Sequence, residues 1–491
     1  MPFQIIVLWT DWLIYVLLAL VTATAVYVRG REHLRAPWRR VARSVSGMSG
    51  LAVLLGFIVV GLLDSVHFRP RLPTAGPEAR VAYSVEALSV LDAALEALRA
   101  RREKTYSAPL ATRLYAMETV DSPGGGQGRE FPRLKFGGAH LQDPERDRAA
   151  DVGRRVLGGM GAAVVAWLLL ALLPAAAVAR ARGTSINAAT QAIWRGETEV
   201  PWRAVLLVGL AFFAVAGIAV ALAPGYHVLG TDKVGQDVLY QALKGIRTAL
   251  VIGTLTTLVM LPFAVALGIA AGYFGGWIDD GIQYMYTTLN SIPGVLLIAA
   301  AVLMMQVYID THPELFPTAA QRADLRLLFL CIILGVTSWT GLCRLLRGEA
   351  LKLKELEYIQ AAHAFGVRHH RIISRHILPN VMHIVLITVV MEFSGLVLAE
   401  AVLSYVGVGV DPSMNSFGTM INNARLEMAR EPMVWWSLAA AFVFMVTLVL
   451  AANLFADAVR DAFDPRVLVS RKLKFRFTAA KNAFGTTDER R

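Results

Sequence analysis

Charge is what this sequence is short of. Only 17% of its 491 residues are charged, against 56% hydrophobic. That balance is too apolar for an ordinary water-soluble chain. Cysteine is nearly absent. The two that occur, Cys331 and Cys343, fall in one predicted membrane helix, ~18 Å apart at 1.5 Å per residue. They cannot bond to each other without breaking that helix, and they read as packing residues. No GxxxxGK[ST] occurs, which argues against a P-loop in this chain. No HExxH, EF-hand loop or Cys/His cluster with metal spacing occurs either, so no metal site is expected. No internal repeat is visible, so an inverted-repeat secondary carrier gains no support. No basic patch with interleaved aromatics sits on a soluble stretch, and the net charge of +11 does not call for nucleic acid.

What the sequence has instead is long apolar runs. Nine of them, at 10–28, 47–65, 156–179, 203–224, 248–272, 284–308, 326–343, 380–407 and 433–455, read as membrane spans, set by ~30 Å of hydrocarbon. The fold class is therefore an all-α integral membrane protein with a small insert. No Lys or Arg precedes Trp12–Val28, so that run reads as an anchor, not as a cleaved signal. Arginines 29, 31, 35, 39, 40 and 43 follow it, and Arg180, Arg182, Arg195 and Arg203 follow the third run. Such basic loops belong in the cytoplasm. They place the N-terminus outside and the basic tail, 467–491, in the cytoplasm. The loop 309–325, with Asp310, Glu314 and Asp324 against Arg322, reads as outside. Residues 1–65 form two spans with a basic loop, 66–155 a hydrophilic periplasmic insert, and 156–202 a third span with its linker. In the insert, Val85, Leu88, Leu91, Leu95 and Leu98 predict a helix over 81–102. Ser122 to Gly126 and Pro132 signal loops.

The most informative polar stretch is Arg344 to Asn380. It holds seven Lys/Arg against three Glu between two apolar runs. Glu349 to Phe365 has strong helix formers and neither Gly nor Pro, and Gly366 stands where a helix stops. Leu351, Tyr358, Ala361, Ala362 and Phe365 fall on one face. The residues alone leave two readings open: a solvated loop, or a docking helix under the membrane.

Gln360-Ala361-Ala362, Gly366 and His376-Ile377-Leu378-Pro379-Asn380 resemble the EAA loop of bacterial ABC importer permeases, in its dipeptide/oligopeptide branch. Four further segments resemble the same family. They are Leu229-Gly230-Thr231-Asp232 with Gly235-Gln236-Asp237, Tyr273 to Asp279, Ala399 to Gly407, and Asn453 to Arg466. The resemblance covers about 226–466 and implies a six-helix permease core over 203–466, with three extra helices before it. It implies a coupling helix that sits on an ATPase subunit, carried by Glu357, Tyr358, Gln360, Ala361, Ala362, Phe365, Gly366, Leu378 and Pro379. Gln360 stands where Glu is commonest. It also implies a transport subunit with no catalytic residues and no cofactor of its own. ATP and Mg would sit on two partner ATPases, beside a second permease and a periplasmic substrate-binding protein, in the bacterial inner membrane. Gly230, Thr231, Asp232, Gly235 and Asp237 would lie outside, near the binding protein or as a helix cap. Thr231 and Asp232 are the cap-type residues there.

Pro379 is expected to open the eighth span. Asp279 and Asp280, at a membrane-edge turn, read as caps, and His369-His370 as solvated. Glu392 and Glu400 are ionisable groups within the eighth span, where they are costly and often functional. Glu392 is the deeper; Glu400 lies near the outer end, where it snorkels or takes a partner. Two readings of another class stay open: a proton-coupled carrier working through these glutamates, and a membrane scaffold whose insert binds a partner.

Overall fold

The computed structural model describes residues 3–72, 83–121, 127–316 and 318–464. Pro465, Arg466, the tail and the Ser122–Gly126 loop lie outside them. Strand β1 (Phe3–Ile6) leads into α1 (Trp9–Arg29), α2 (Glu32–Arg43) and α3 (Val45–Asp64). The insert follows as β2 (His67–Pro70), β3 (Leu88–Ser89), α4 (Val90–Ala94), α5 (Glu96–Ala100), β4 (Glu118–Asp121) and β5 (Gln127–Glu130). Next come α6 (Pro144–Arg182), α7 (Ile186–Arg195), α8 (Trp202–Leu222), α9 (Val238–Phe274), α10 (Gly276–Ser291) and α11 (Gly294–Thr311). The chain ends with α12 (Ala319–Ser338), α13 (Thr340–Lys354), α14 (Glu357–Ala364), α15 (His369–Ile372), α16 (Leu378–Val406), α17 (Phe417–Glu427) and α18 (Trp436–Phe463). Among the described residues, nine stretches are long and apolar enough to cross a membrane: α1, α3, α6, α8, α9, α11, α12 with α13, α15 with α16, and α18. Helices suit that solvent because every backbone group is satisfied within the segment.

Two local expectations need correction, and one helix is longer than the span it carries. The helix predicted over 81–102 is two short ones, α4 and α5. Val85 is exposed and Leu88 belongs to β3, which pairs antiparallel with β2, itself paired with β1. The third span stands, but its helix begins well before 156, because Asp143 accepts the N–H groups of Glu145 and Arg146 and caps α6 at Pro144, ahead of the charged stretch 144–155. Asp324 is not an exposed loop acid. It lies in α12, 2% exposed, and accepts the N–H of Thr10 at 3.1 Å and its hydroxyl.

The additional N-terminal helices are built into the bundle. Helix α3 packs on α18 and α9. A Cβ on Gly50 would stand 2.6 Å from the Ala451 carbonyl oxygen, so glycine is what lets α3 approach. Leu54 and Phe57 share a core cluster with Ile246, Val397 and Leu448.

At the insert-bearing face these elements are joined by buried charge. Arg247 of α9, 5% exposed, donates to Asp11 at 2.5 Å and to the Thr10 hydroxyl at 2.9 Å. Asp324 lies 3.7 Å away, and His67 Nδ1 meets Asp11 at 2.8 Å. One turn earlier, Lys244 binds Asp64 of α3 at 2.6 Å and Asp92 of α4 at 3.1 Å. Two cations of one helix thus hold carboxylates from three elements that precede it.

A second clasp fixes the insert to the start of α9. Glu103 accepts the N–H groups of Lys135, Phe136 and Gly137 at 2.9, 2.8 and 3.1 Å. His227 Nδ1 meets Asp237 at 2.8 Å, while its Nε2 faces Glu103 at 3.4 Å. The second contact is an ion pair without hydrogen-bond geometry. Burial alone would push His227 down, yet its bond to Asp237 and the negative charges of Asp237 and Glu103 outweigh this and raise it from 6.5 to about 9. Burial would raise Glu103, and His227 and the three N–H groups instead hold it at about 2, from 4.5.

Removing one partner of a buried ion pair costs about 3–5 kcal/mol. Arg247→Met should therefore lower the unfolding free energy of the purified chain by roughly that much. Arg43→Ala, which breaks an exposed pair with Glu199, should leave it nearly unchanged. The clasp also sets a pH dependence. The raised His227 contributes fully below 6.5 and is lost as pH rises through about 9. The lowered Glu103 contributes above 4.5 and is lost as pH falls through about 2. Hydrogen exchange at Phe136 and Gly137, corrected for intrinsic rates, should be slowest between these limits and faster at alkaline pH. In His227→Phe the pH 6 protection should already be lost.

Candidate coupling site

The Arg344–Asn380 stretch folds as a bracket on the face opposite the insert. Helix α13 continues α12, but the helix predicted over 349–365 does not run through. It breaks at Leu356, whose backbone is extended (φ −72°, ψ 136°), and restarts as α14. The reason is packing. The turn puts Ile359, 2% exposed, into a cluster with Tyr273, Leu346, Ala350 and Ile372, with Ala362 partly buried against it. A straight continuation would leave Ile359 in water.

The same turn aims the other face outward. Glu357, Tyr358, Gln360, Ala361, Phe365 and Gly366 are all exposed, Phe365 by 87% and Tyr358 by 47%. Gln360 donates to Glu355 at 3.2 Å. Gly366, at φ +73°, ends α14. Its N–H reaches the His363 carbonyl at 3.0 Å and that of Val367 reaches Ala362 at 3.1 Å. This paired arrangement needs a left-handed residue.

The bracket is tied to three helices. Arg347 of α13 grips Asp279 of α10 through two bonds, 2.5 and 2.6 Å. The guanidinium holds the Asp279 carboxyl below its usual range. Asp279 is thus a pairing residue, where a cap was expected. The buried Tyr273 of α9 meets His369 Nδ1 through its hydroxyl at 2.8 Å, so His369 is a tether and not merely solvated. Asn380 of α16 donates to the Tyr358 hydroxyl at 3.1 Å. Helices α9 and α13 are in near-backbone contact, since a Cβ on Gly272 would lie 2.6 Å from the Arg347 carbonyl oxygen.

Pro379 does not begin the helix. The backbone is helical from His369 and passes through a π-turn, Ile373–Ile377, before Leu378 and Pro379. A proline lacks its N–H and crowds the carbonyl four residues back; the wider π-turn accommodates both. Leu378 is partly buried and Pro379 exposed.

The remaining site candidates lie elsewhere. Glu392 is half-buried. Glu400 is 1% exposed and accepts the Ser404 hydroxyl at 2.6 Å, so it takes a partner and does not snorkel. The Gly230–Asp237 segment sits beneath the insert. Thr231 is fully buried; its hydroxyl donates to the Thr105 carbonyl and accepts the N–H of Ser107. It caps no helix. The cap of α9 is Asp237, which accepts the N–H groups of Leu239 and Tyr240 at 2.9 and 3.2 Å. Asp232 closes a turn by accepting the N–H groups of Val234 and Gln236. Gly230 is buried beside Trp436, whose indole donates to the Thr231 carbonyl at 2.9 Å. Gly235, at φ +71°, would place a Cβ 1.8 Å from the Glu103 carbonyl oxygen.

Sequence reasoning missed Arg347, His369, Tyr273 and the buried cations Lys244 and Arg247. Arg347 and His369 were counted as loop residues. Lys244 and Arg247 stand at the mouth of a span, where charge was the available signal.

Residues 264–469 match the family described as the binding-protein-dependent transport system inner membrane component. An oligopeptide transport system permease protein of Mycobacterium tuberculosis is 33% identical over 248 residues, 50% of this chain and 78% of that one. A glutathione transport system permease protein of Pectobacterium atrosepticum is 32% identical over 49% of this chain and 73% of its own length. A dipeptide transport system permease protein of Bacillus subtilis is 29% identical over 49% and 69%. Among solved structures, an inward-facing form of the MetNI methionine ABC transporter covers 46% of this chain and 97% of its own, at 15% identity and a TM-score of 0.33. With nine candidate spans among the described residues and 33% identity over 78% of the mycobacterial permease, the chain belongs to the binding-protein-dependent transport system inner membrane components.

Proposed function

We propose that this chain is the permease subunit of an ATP-driven importer of short peptides, driven through α14 by an ATPase that is a separate subunit. The observation that carries the reading is the mounting of α14. It is a short surface helix with an exposed aromatic face; its own Tyr358 is tied to α16, and the helices flanking it, α13 and α15, are tied to α10 and α9. Relatives named for oligopeptides, dipeptides and glutathione support a peptide-like substrate. The basic loops support an orientation with the insert outside and α14 in the cytoplasm. In this reading a second permease completes the path, two ATPases hold ATP and Mg, and a soluble binding protein delivers substrate. Glu392, half-exposed in the eighth span, is offered as a path residue. Glu400, sealed against Ser404, serves packing, which weakens the proton-carrier alternative.

The test is at α14. An aromatic anchor at an interface is worth about 2 kcal/mol or more, roughly thirtyfold in affinity. Phe365→Ala should weaken association with the ATPase by about that factor and abolish uptake, with membrane insertion unchanged. Ala361→Trp, on the same exposed face, should block association by bulk. Normal uptake and normal ATPase stimulation in both variants would defeat the assignment.

A further inference from the structure

Helix α1 is, with α8, one of the two least buried candidate spans among the described residues: only 6% of its membrane window is buried, against 44% in α9. Its insert-side end is fixed by Asp11 and by Tyr15, whose hydroxyl donates to the Ser65 carbonyl at 2.8 Å. Beyond that point one face is open. Tyr15, Ala19, Thr22, Ala23 and Tyr27 line a shallow groove along this open face of α1. The face is apolar in effect, because the Thr22 hydroxyl is turned back on the Leu18 carbonyl at 2.7 Å. The small residues form its floor and the two tyrosines its ends. From Tyr15 to Tyr27 the helix rises about 18 Å, close to the ~15 Å depth of one hydrocarbon leaflet.

At the far end of the groove the chemistry changes sharply. Arg29, Arg31, Arg35 and Arg39 are all exposed. None of the four has a carboxylate partner among the described residues, and Arg31 lies over the Tyr27 ring at 4.6 Å. By contrast, Arg40 and Arg43 of the same helix are used within the fold, on the Ala462 carbonyl and on Glu199. Helix α2 is held rigidly, with Val41 buried against Ala458 and Val459 and Trp38 edge-on to Phe463 at 5.4 Å. Four exposed guanidinium groups without a carboxylate partner among the described residues therefore follow directly on the open face of α1, two of them on the anchored helix α2.

We infer that the α1 groove and the Arg29–Arg39 cluster together form a binding site for an anionic phospholipid, with an acyl chain along Ala19–Ala23 and its phosphate among the arginines. Two observations on one axis carry this. A bare apolar face would suit any hydrophobic partner, and a bare basic cluster any anion. Only an amphiphile with an anionic head and a tail about one leaflet long satisfies both. The bound lipid would fill the gap beside α1 and tie this span to α2, and through α2 to α18.

The test uses the purified full-length chain in detergent, titrated with phosphatidylglycerol or phosphatidylcholine and read by native mass spectrometry. Each arginine near a phosphate contributes about fivefold in affinity. Phosphatidylglycerol should be retained and phosphatidylcholine not, and Arg35→Gln with Arg39→Gln should weaken retention about thirtyfold. Ala23→Trp, on an exposed face, should also displace the lipid while the arginines stay. Arg180→Gln, an exposed arginine at the end of α6, should change nothing. Equal retention of the two lipids, an equal loss in Arg180→Gln, or a copurifying protein helix in the groove would each overturn the assignment.

Discussion

A guanidinium taken out of water must find carboxylates, and that requirement organises this molecule. Arg247 and Lys244 lie one turn apart on α9, the helix on which the bundle is assembled. Their partners come from α1, α3, α4 and α12. A desolvated charge left alone costs several kcal/mol, so these elements cannot drift from α9 independently. The additional N-terminal segment is therefore structural at this face. It contributes Asp11, Asp64 and Asp92 to cations that the core helix itself carries. The other end of α9 carries no such charges. There Gly272 lets it lie against the backbone of α13, and short-range packing holds the two helices together instead.

The insert adds a second constraint of the same kind. Glu103 satisfies three backbone N–H groups of its own domain while facing His227 of the loop that opens α9. The Gly230–Asp237 segment is consequently covered by its own chain. Gly235 and Thr231 contact residues 103–107 so closely that no solvent layer fits between. Whatever docks on this face meets the insert first.

The sequence made the spans legible because membrane burial leaves a strong and simple signal: uncharged runs of fixed length. It made the helical character of the Arg344–Asn380 stretch legible because charge bias and helix formers coincide there. What it concealed were pairings at a distance. Asp279 and Arg347 are separated by 68 residues, and nothing local marks them as partners. Asp324 looked like a loop acid, since it follows Asp310, Glu314 and Arg322 in a charged stretch, while its true partners, Thr10 and Arg247, are remote in sequence. The insert misled for another reason. Its leucine spacing was helical, but Leu88 was claimed by a strand pair with Phe68, and tertiary pairing outweighs propensity. The break at Leu356 had no glycine or proline to announce it. It follows from where Ile359 can be buried.

That break also decides how the bracket responds to a push at Phe365. Bending α14 relative to α13 would withdraw Ile359 from its cluster, at about 1.5–3 kcal/mol for a fully buried side chain. It would also strain the paired hydrogen bonds around Gly366. The tethers resist separately: Tyr358 to Asn380, His369 to Tyr273, and Arg347 to Asp279. A close-packed interior passes displacement on more readily than it deforms. A load on α14 is therefore shared among α9, α10 and α16, and they respond as one body. The residue types suit this transmission of force, being small at Ala361 and Ala362, aromatic at Tyr358 and Phe365, and charged at the two ends of the Asp279–Arg347 bridge. Gln360, bonded to Glu355 on the exposed side, makes none of these tethers.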